Sequence, residues 1–271
     1  MSSLLVCSNS TKNYLNGFDR VRVVTSAPDI GILGEVGTEE SIVAIGGGAV
    51  IDTAKILCKN PIDCYPTTAA GSSATSWSVY WNGTEKCSFK AQKPNVVTFN
   101  RGFIETLPND MIIETTYDVV SHCLDSLHSN KATDKSKEYC NTALEWLRKY
   151  KDDNLYLVKA GHEAGNAIEI AGTNLLHSLS YPLTGHYGIS HGLALGYFLS
   201  RISKFLDYDV SDIIEDFSFT RPHWSLFNID IDFVIDEALK YDKIYESKML
   251  ISKEILQEVL NGILVSKIKE K

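Results

Sequence analysis

A short apolar run, Ser41-Ile42-Val43-Ala44-Ile45, ends in three consecutive glycines, Gly46-Gly47-Gly48, and passes at once into a helical pattern from Ala49 to Cys58. Strand, glycine turn and helix in that order commit the chain to an α/β layer. Val50, Ala54 and Cys58 fall on one face of that helix. Glycines let a backbone approach a pyrophosphate, and a helix N-terminus offers free N–H groups and the positive end of a dipole. The triplet does not follow the GxGxxG spacing, and taken alone it is equally a tight strand–helix connection. Asp52 and Lys55 lie within two turns of the glycines and sharpen the phosphate-binding reading, though by themselves they are equally a solvated i,i+3 pair.

The flanking segments extend the layer. Val21 to Thr25, Ile62 to Tyr65 and Val96 to Phe99 are short β-branched or apolar runs, each expected to be a strand. Trp77 to Trp81 and Lys86 to Phe89, joined through Asn82-Gly83, predict a β-hairpin. Between them lies Pro66-Thr67-Thr68-Ala69-Ala70-Gly71-Ser72-Ser73. This loop is a polar connection whose Thr67, Thr68 and Ser72 hydroxyls can donate to phosphate or ribose oxygens. Beyond residue 104 the periodicity turns helical, with helices expected from Pro108 to Ser129, over 134–150, 153–180 and 191–204, and in pieces thereafter. A length of 271 residues suits two small domains. The expected division is an α/β domain over 1–104 and an all-helical domain over 105–271.

The helical part carries a carboxylate and three imidazoles, Asp118, His122, His177 and His191, a ligand set for a divalent first-row metal. Asp118 and His122 are four apart, so a helix places both on one face. His177 and His191 are separated by Pro182, Gly185 and Gly188. They are expected to converge from a helix end and the next helix start. Iron, zinc and manganese all accept such a mixed nitrogen and oxygen set. His186 lies between two of these residues and is expected in a loop facing the cleft, as a proton relay or a partner for an anionic group, or else as an exposed loop residue. His128, His162 and His223 have no motif around them and read as surface or helix residues.

A net charge of -8 and a pI near 5.4 argue against nucleic acid or an anionic membrane as partner, though not against a small anionic substrate. The six cysteines are scattered, with no CxxC pair, and read as reduced thiols. The N-terminus lacks a basic segment followed by a full apolar one, and no apolar run reaches membrane-spanning length. A cytoplasmic location is the expectation.

Together these segments resemble the iron-dependent, or group III, alcohol dehydrogenases. That family carries a GGGSxxDxAK turn, read here as GGGAVIDTAK from Gly46 to Lys55. It carries a PTTAGTGSE-like loop, here PTTAAGSSAT. It also carries a DAxxH helix followed by an H…HG pair, here Asp118-Val-Val-Ser-His122, His177 and His191-Gly192. The motifs occur in family order between about residues 20 and 200. The resemblance implies a shortened dehydroquinate synthase-like, iron-alcohol-dehydrogenase fold: an α/β dinucleotide-binding domain and an all-α metal-binding domain with the reaction in the cleft between them.

The implied activity is NAD(P)H-dependent interconversion of a small aldehyde and its primary alcohol, with Fe²⁺ or Zn²⁺ as metal. SLSYPLTGHYG and SHCLDSLHSNKAT are similar to members that reduce small aldehydes, including phosphonoacetaldehyde to 2-hydroxyethylphosphonate. Carried over residue by residue, Asp118, His122, His177 and His191 hold the metal. Gly46, Gly47, Gly48, Asp52, Lys55, Thr67, Thr68, Ser72 and Lys86 face the NAD or NADP. Tyr181 and His186 are the candidates for proton transfer, and a homodimer is the family expectation. The alternatives are a related enzyme resembling glycerol-1-phosphate dehydrogenase, and a truncated, non-catalytic metal- or nucleotide-binding module.

This sequence departs from the family pattern in places. Ala49 stands where a serine follows the glycines, and Ser73 where the loop is acidic. Tyr181 stands where other branches have histidine, and Ser190 where proline is usual. Thr25-Ser26 replaces the acid that holds the adenosine ribose, so NAD and NADP both stay open. Lys86, Lys90, Arg101 and His186 are the basic residues expected to meet a phosphonate.

Overall fold

The structure, a computed structural model, describes residues 3–12, 17–105, 107–150, 153–216 and 228–261. His223 lies outside them. Among the described residues there are seven strands: β1 Leu4–Ser8, β2 Arg20–Val24, β3 Ile42–Gly46, β4 Asp63–Pro66, β5 Trp77–Asn82, β6 Glu85–Lys90 and β7 Val96–Val97. Five of them form a parallel sheet in the order β2-β1-β3-β4-β7. β5 and β6 form the antiparallel hairpin expected from Asn82-Gly83, with Gly83 at φ 61° in the turn. β1 was not foreseen. Its sequence, Leu4-Leu5-Val6-Cys7, is a short continuous apolar stretch without alternation, because both faces of this interior strand are covered.

The helix α1 (Gly48–Leu57) returns along one face of the sheet and packs Val50, Ile51 and Ala54 against Leu4, Val6, Ile42 and Ala44. Leu5, Cys7 and Ile45 fill the other face with Phe18, Tyr65 and Phe103. The strand order has one consequence for function. From β1 the chain steps outward to β2, then crosses to β3 on the other side of β1. That reversal opens a crevice beyond the carboxyl ends of β1 and β3, the place where open α/β sheets bind ligands.

Beyond β7 the described residues are mainly helical: α2 Arg101–Ile104, α3 Asn109–Leu127, α4 Asp134–Arg148, α5 Asn154–Ala171, α6 Leu175–Tyr187, α7 His191–Phe205, α8 Ser211–Asp216, α9 Ile231–Ala238 and α10 Lys253–Leu260. α3 is buried on nearly every side, against α4, α5, α6 and α7. None of the helices among the described residues is long and apolar enough to cross a membrane.

Two helix boundaries differ from expectation. The helix expected over 153–180 breaks at Gly172, at φ 73°, and α6 begins afresh behind Asn174, whose side chain accepts from the Leu175 N–H. α6 then runs on through Pro182 and Gly185 and stops only at Gly188, at φ 68°. Pro182 forfeits one helical bond, and tertiary burial of the helix outweighs that loss. Gly185 serves contact rather than a turn: a Cβ there would lie 2.1 Å from the Thr84 carbonyl oxygen in the β-hairpin. His177 is therefore in the first turn of α6, at the N-terminal end of that helix rather than near the C-terminal end of one running over 153–180.

Candidate active site

α3 presents Asp118 and His122 on one face, α6 presents His177 from its first turn, and α7 begins with His191. The Nε2 atoms of His122 and His177 each lie 3.4 Å from Asp118 Oδ1, and that of His191 lies 3.9 Å away. The ligand atoms of Asp118, His177 and His191 are mutually within 4.8 Å; His122 shares Asp118 Oδ1 with them but is not in that mutually close triplet. The His122 and His177 rings stack with centroids 4.6 Å apart. Gly192 explains how α7 reaches this point. A Cβ there would meet the Glu114 carbonyl oxygen at 2.4 Å, and one on Gly196 would meet the Tyr117 ring at 2.4 Å. Two glycines on one face of α7 let it sit directly against α3, which carries His191 to Asp118.

Asp125 was missed in the sequence, although it is on the same face of α3, seven residues after Asp118. It is fully buried and accepts from the backbone N–H groups of Asn174, Leu176 and His177. Its Oδ2 also lies 2.9 Å from His177 Nδ1. Asp125 thus caps α6 and fixes the imidazole, with Nδ1 as donor and Nε2 as a lone pair toward Asp118.

This arrangement fits a divalent cation. Asp118 Oδ1 and His177 Nε2 are buried without a hydrogen-bond partner. Two acceptor lone pairs facing each other in a desolvated site are costly unless a cation lies between them. Burial opposes ionisation of Asp118, yet the surrounding His122, His177 and His191 hold its carboxyl well below the usual range. Burial lowers His122 to about 4 and His191 well below its ordinary value, so both are neutral ligand forms at pH 7. Lys86, on β6, brings its Nζ to 3.2 Å from His191 Nε2, and burial lowers this lysine from its ordinary value.

Across the crevice, Gly47 and Gly48 open α1 with no side-chain cap, leaving the helix N-terminus directed at the cleft. The Thr67–Ser72 loop presses against them. A Cβ on Gly47 would lie 2.9 Å from Thr68 Oγ1, and one on Gly48 would lie 3.0 Å from Ala70 Cβ. Gly46 does not line the cleft; its bare Cα makes room for Val50, which would be 2.5 Å from a Cβ. The loop continues onto α5, where Gly161 and Gly165 leave a groove for Ala69 and Gly71, and Gly71 comes beside the His122 ring. The Thr67–Ser72 loop and the His122 ring thereby stand side by side.

Lys55 departs from its expected place. It is buried under the loop, not in the cleft, and its Nζ donates to the carbonyls of Ser72, Thr75 and Trp77 and meets Asp52 Oδ1 at 3.3 Å. Burial lowers Lys55 and raises Asp52, and each offsets part of the other's shift. The lysine shapes the loop from behind, while Asp52, Thr67, Thr68, Ser72 and Lys86 line the cleft. His162 on α5 is not exposed either; it meets Ser73 Oγ at 3.1 Å, and burial lowers it to about 4.

Tyr181 is buried in the cleft wall, its ring stacked on His191 with centroids 6.0 Å apart. Burial raises its phenol, and Lys86 partly opposes that. His186 is not brought to the cleft. Because α6 continues as helix, the residue nine positions after His177 lies about two and a half turns on, on the opposite face. It is exposed and packs on Phe233. Of the basic residues expected near a phosphonate, only Lys86 lines the cleft: Lys90 faces Glu169 and Trp77, and Arg101 pairs with Asp153. The cleft also holds Lys243, which no motif marks. Its volume is about 1130 Å³, room for a dinucleotide and a small substrate.

No protein-family model matches the chain. It is 27% identical over 206 residues to a phosphonoacetaldehyde reductase of Streptomyces viridochromogenes, covering 60% of this chain and 52% of the relative. It is 27% identical over 212 residues to a 4-hydroxybutyrate dehydrogenase of Clostridium kluyveri, covering 64% and 57%. These matches span little more than half the length of those relatives. Among solved structures, a sulfoacetaldehyde reductase from Bifidobacterium kashiwanohense in complex with NAD+ superposes with a TM-score of 0.81 at 20% identity, covering 97% of this chain and 90% of that one. An iron-containing alcohol dehydrogenase superposes with a TM-score of 0.78 at 17% identity, covering 97% and 92%.

Proposed function

We propose that this chain, a member of the group III, iron-dependent alcohol dehydrogenase family, is a metal-dependent NAD(P)H oxidoreductase that interconverts a small aldehyde and its primary alcohol. The observation that carries this reading is the pair of unpartnered buried acceptors, Asp118 Oδ1 and His177 Nε2, in one cleft with the free N-terminus of α1. Phosphonoacetaldehyde is the substrate we favour, on the likeness to the Streptomyces reductase. The division of the chain at residue 104, a homodimer and a cytoplasmic location belong to the same proposal.

Asp118, His122, His177 and His191 would hold the metal, and Gly47, Gly48, Thr67, Thr68 and Ser72 would hold the dinucleotide phosphates. When bound, the metal supplies Lewis acidity toward a carbonyl oxygen and the dinucleotide supplies the hydride. The chain orients and encloses. Asp125 holds His177 in one tautomer and keeps its Nε2 free. The Gly71 turn helps set the distance between the two halves of the cleft, since it leaves only about a Cβ's room before α5 and the His122 ring. Trp77, Val79 and Trp81 contribute apolar wall and limit water. Tyr181 is the protein hydroxyl we assign to proton transfer; burial keeps its phenol protonated, and its Oη accepts from Lys243. His186, exposed on the far face of α6, is left out of this role.

The test is His191→Ala. Metal content by elemental analysis and aldehyde turnover should both be lost, while the circular dichroism melt is retained. Full turnover by the metal-free variant would overturn the proposal. Titration with NADH and NADPH, read by nicotinamide fluorescence, is the companion measurement, and binding of neither would favour a non-catalytic module.

A further inference from the structure

We infer that Lys243 and Thr173 form an anion subsite, placed behind Tyr181, that selects aldehydes carrying a phosphonate, sulfonate or carboxylate group. The inference rests on the aldehyde-reductase reading of the same cleft. Lys243 lies in the short 3₁₀ segment Asp242–Glu246 and lines the cleft with Thr173, Tyr181 and Lys86. Its Nζ donates to Thr173 Oγ1 at 3.1 Å and to the Tyr181 hydroxyl, both neutral oxygens. An ammonium has three donors, and a desolvated cation without an opposite charge is costly.

The carboxylates that act on Lys243 are Asp125 and Glu246, and neither forms an ion pair with it among the described residues. Asp125 is taken up by three backbone N–H groups and His177, and Glu246 by Lys131 at 2.6 Å. Burial brings Lys243 down to about 8, which still leaves it mostly cationic at neutral pH.

Its position matches a bifunctional substrate. The Lys243 ammonium stands 4.2 Å from the Tyr181 ring centre, and Lys86 stands 4.6 Å from that same centre. The ring itself stacks on His191 at 6.0 Å. Two lysine amino groups therefore flank one ring next to the candidate metal-ligand set, and neither is ion-paired to a carboxylate among the described residues. An aldehyde oxygen directed at the histidines and an anionic group directed at Lys243 would be separated by one aromatic ring, the span of a short aliphatic chain. A charge-assisted bond from Lys243, joined by the Thr173 hydroxyl, would hold that group.

The experiment compares Lys243→Met and Lys243→Arg with wild type, as holoenzymes, on phosphonoacetaldehyde, succinic semialdehyde and neutral propanal. The expected result is that the Met variant lowers the ratio of kcat/KM for anionic over neutral aldehydes at least tenfold, chiefly through KM, and that the Arg variant keeps most of it. Equal losses for anionic and neutral aldehydes in the Met variant would overturn the subsite. A readout independent of turnover is thermal protection by ethylphosphonate or ethanesulfonate, expected in wild type and in the Arg variant and lost in the Met variant. Protection unchanged in the Met variant overturns the subsite. Wild type that turns over no aldehyde yet shows Lys243-dependent protection overturns the reductase reading and leaves the subsite standing.

Discussion

Asp125 and His177 form a buried pair, Oδ2 to Nδ1 at 2.9 Å, and the same carboxylate receives the first N–H groups of α6. One side chain thus sets both the start of a helix and the tautomer of an imidazole on it. Asp125→Asn keeps the shape but turns one acceptor into a donor facing other donors. Metal affinity should fall about 10- to 100-fold, the usual effect of losing a partner that orients a ligand. Chelator competition measures the affinity, and an unchanged value would show that His177 needs no such support. A lower melting temperature of the metal-free protein should accompany it, since α6 loses its cap.

Gly161 does not line the cleft, yet it fixes where the Thr67–Ser72 loop rests. A Cβ there would lie 2.2 Å from the Ala69 carbonyl oxygen and 2.5 Å from its carbonyl carbon, backbone atoms that cannot swing aside. Gly161→Ala must therefore push the Thr67–Ser72 loop off α5. The expected cost is about 1–3 kcal/mol of stability, as for overpacked interiors, with at least a tenfold weaker NADH or NADPH affinity by fluorescence titration. Wild-type nucleotide affinity in a destabilised variant would mean that the loop does not hold the dinucleotide.

These two residues mark how far the sequence could be read. The glycine turn, the hairpin and the helical period of α3 are local signals, and the structure carries each within a residue or two. Asp125 was readable in principle, as the third member of a face with Asp118 and His122. β1 was not, because four consecutive apolar residues show no alternation when both faces are covered. Pro182 and Gly185 misled in the opposite direction: as breakers they imply a loop, but burial and the approach of Thr84 keep them in a helix, and that carries His186 away from the cleft. Lys243 had no local signal at all. Its place is set by how Asp242–Glu246 folds back onto α6, a contact between segments about sixty residues apart.

His162 predicts how stability responds to acid. Burial, with a smaller push from Lys93, lowers it from 6.5 to about 4 in the folded chain. Between those values the unfolded state binds the extra proton, so its contribution is fully present above pH 6.5 and is lost as pH falls toward 4. On the scale of 1.36 kcal/mol per unit, roughly 2 kcal/mol should disappear between pH 7 and pH 5. His162→Gln, which can still bond Ser73, should flatten that part of the profile in urea melts. An unchanged pH slope would place the acid sensitivity on other groups.

Thr25 bears on the choice of dinucleotide. Val24, Thr25 and Ala27 line the cleft at the end of β2, where this kind of sheet places the adenosine ribose, and Thr25 is exposed there. A carboxylate at that point binds a free ribose 2′-hydroxyl and repels a 2′-phosphate, and this chain has none. Wild type should therefore bind NADPH as readily as NADH. Thr25→Asp should shift the ratio of the two Kd values toward NADH at least tenfold, about 1.4 kcal/mol, with little cost in stability because the side chain stands at the rim. Fluorescence titration of both nucleotides against both proteins decides it. If the aspartate leaves the two affinities untouched, the ribose is bound elsewhere and the orientation of the dinucleotide across Gly47 and Gly48 must be reversed.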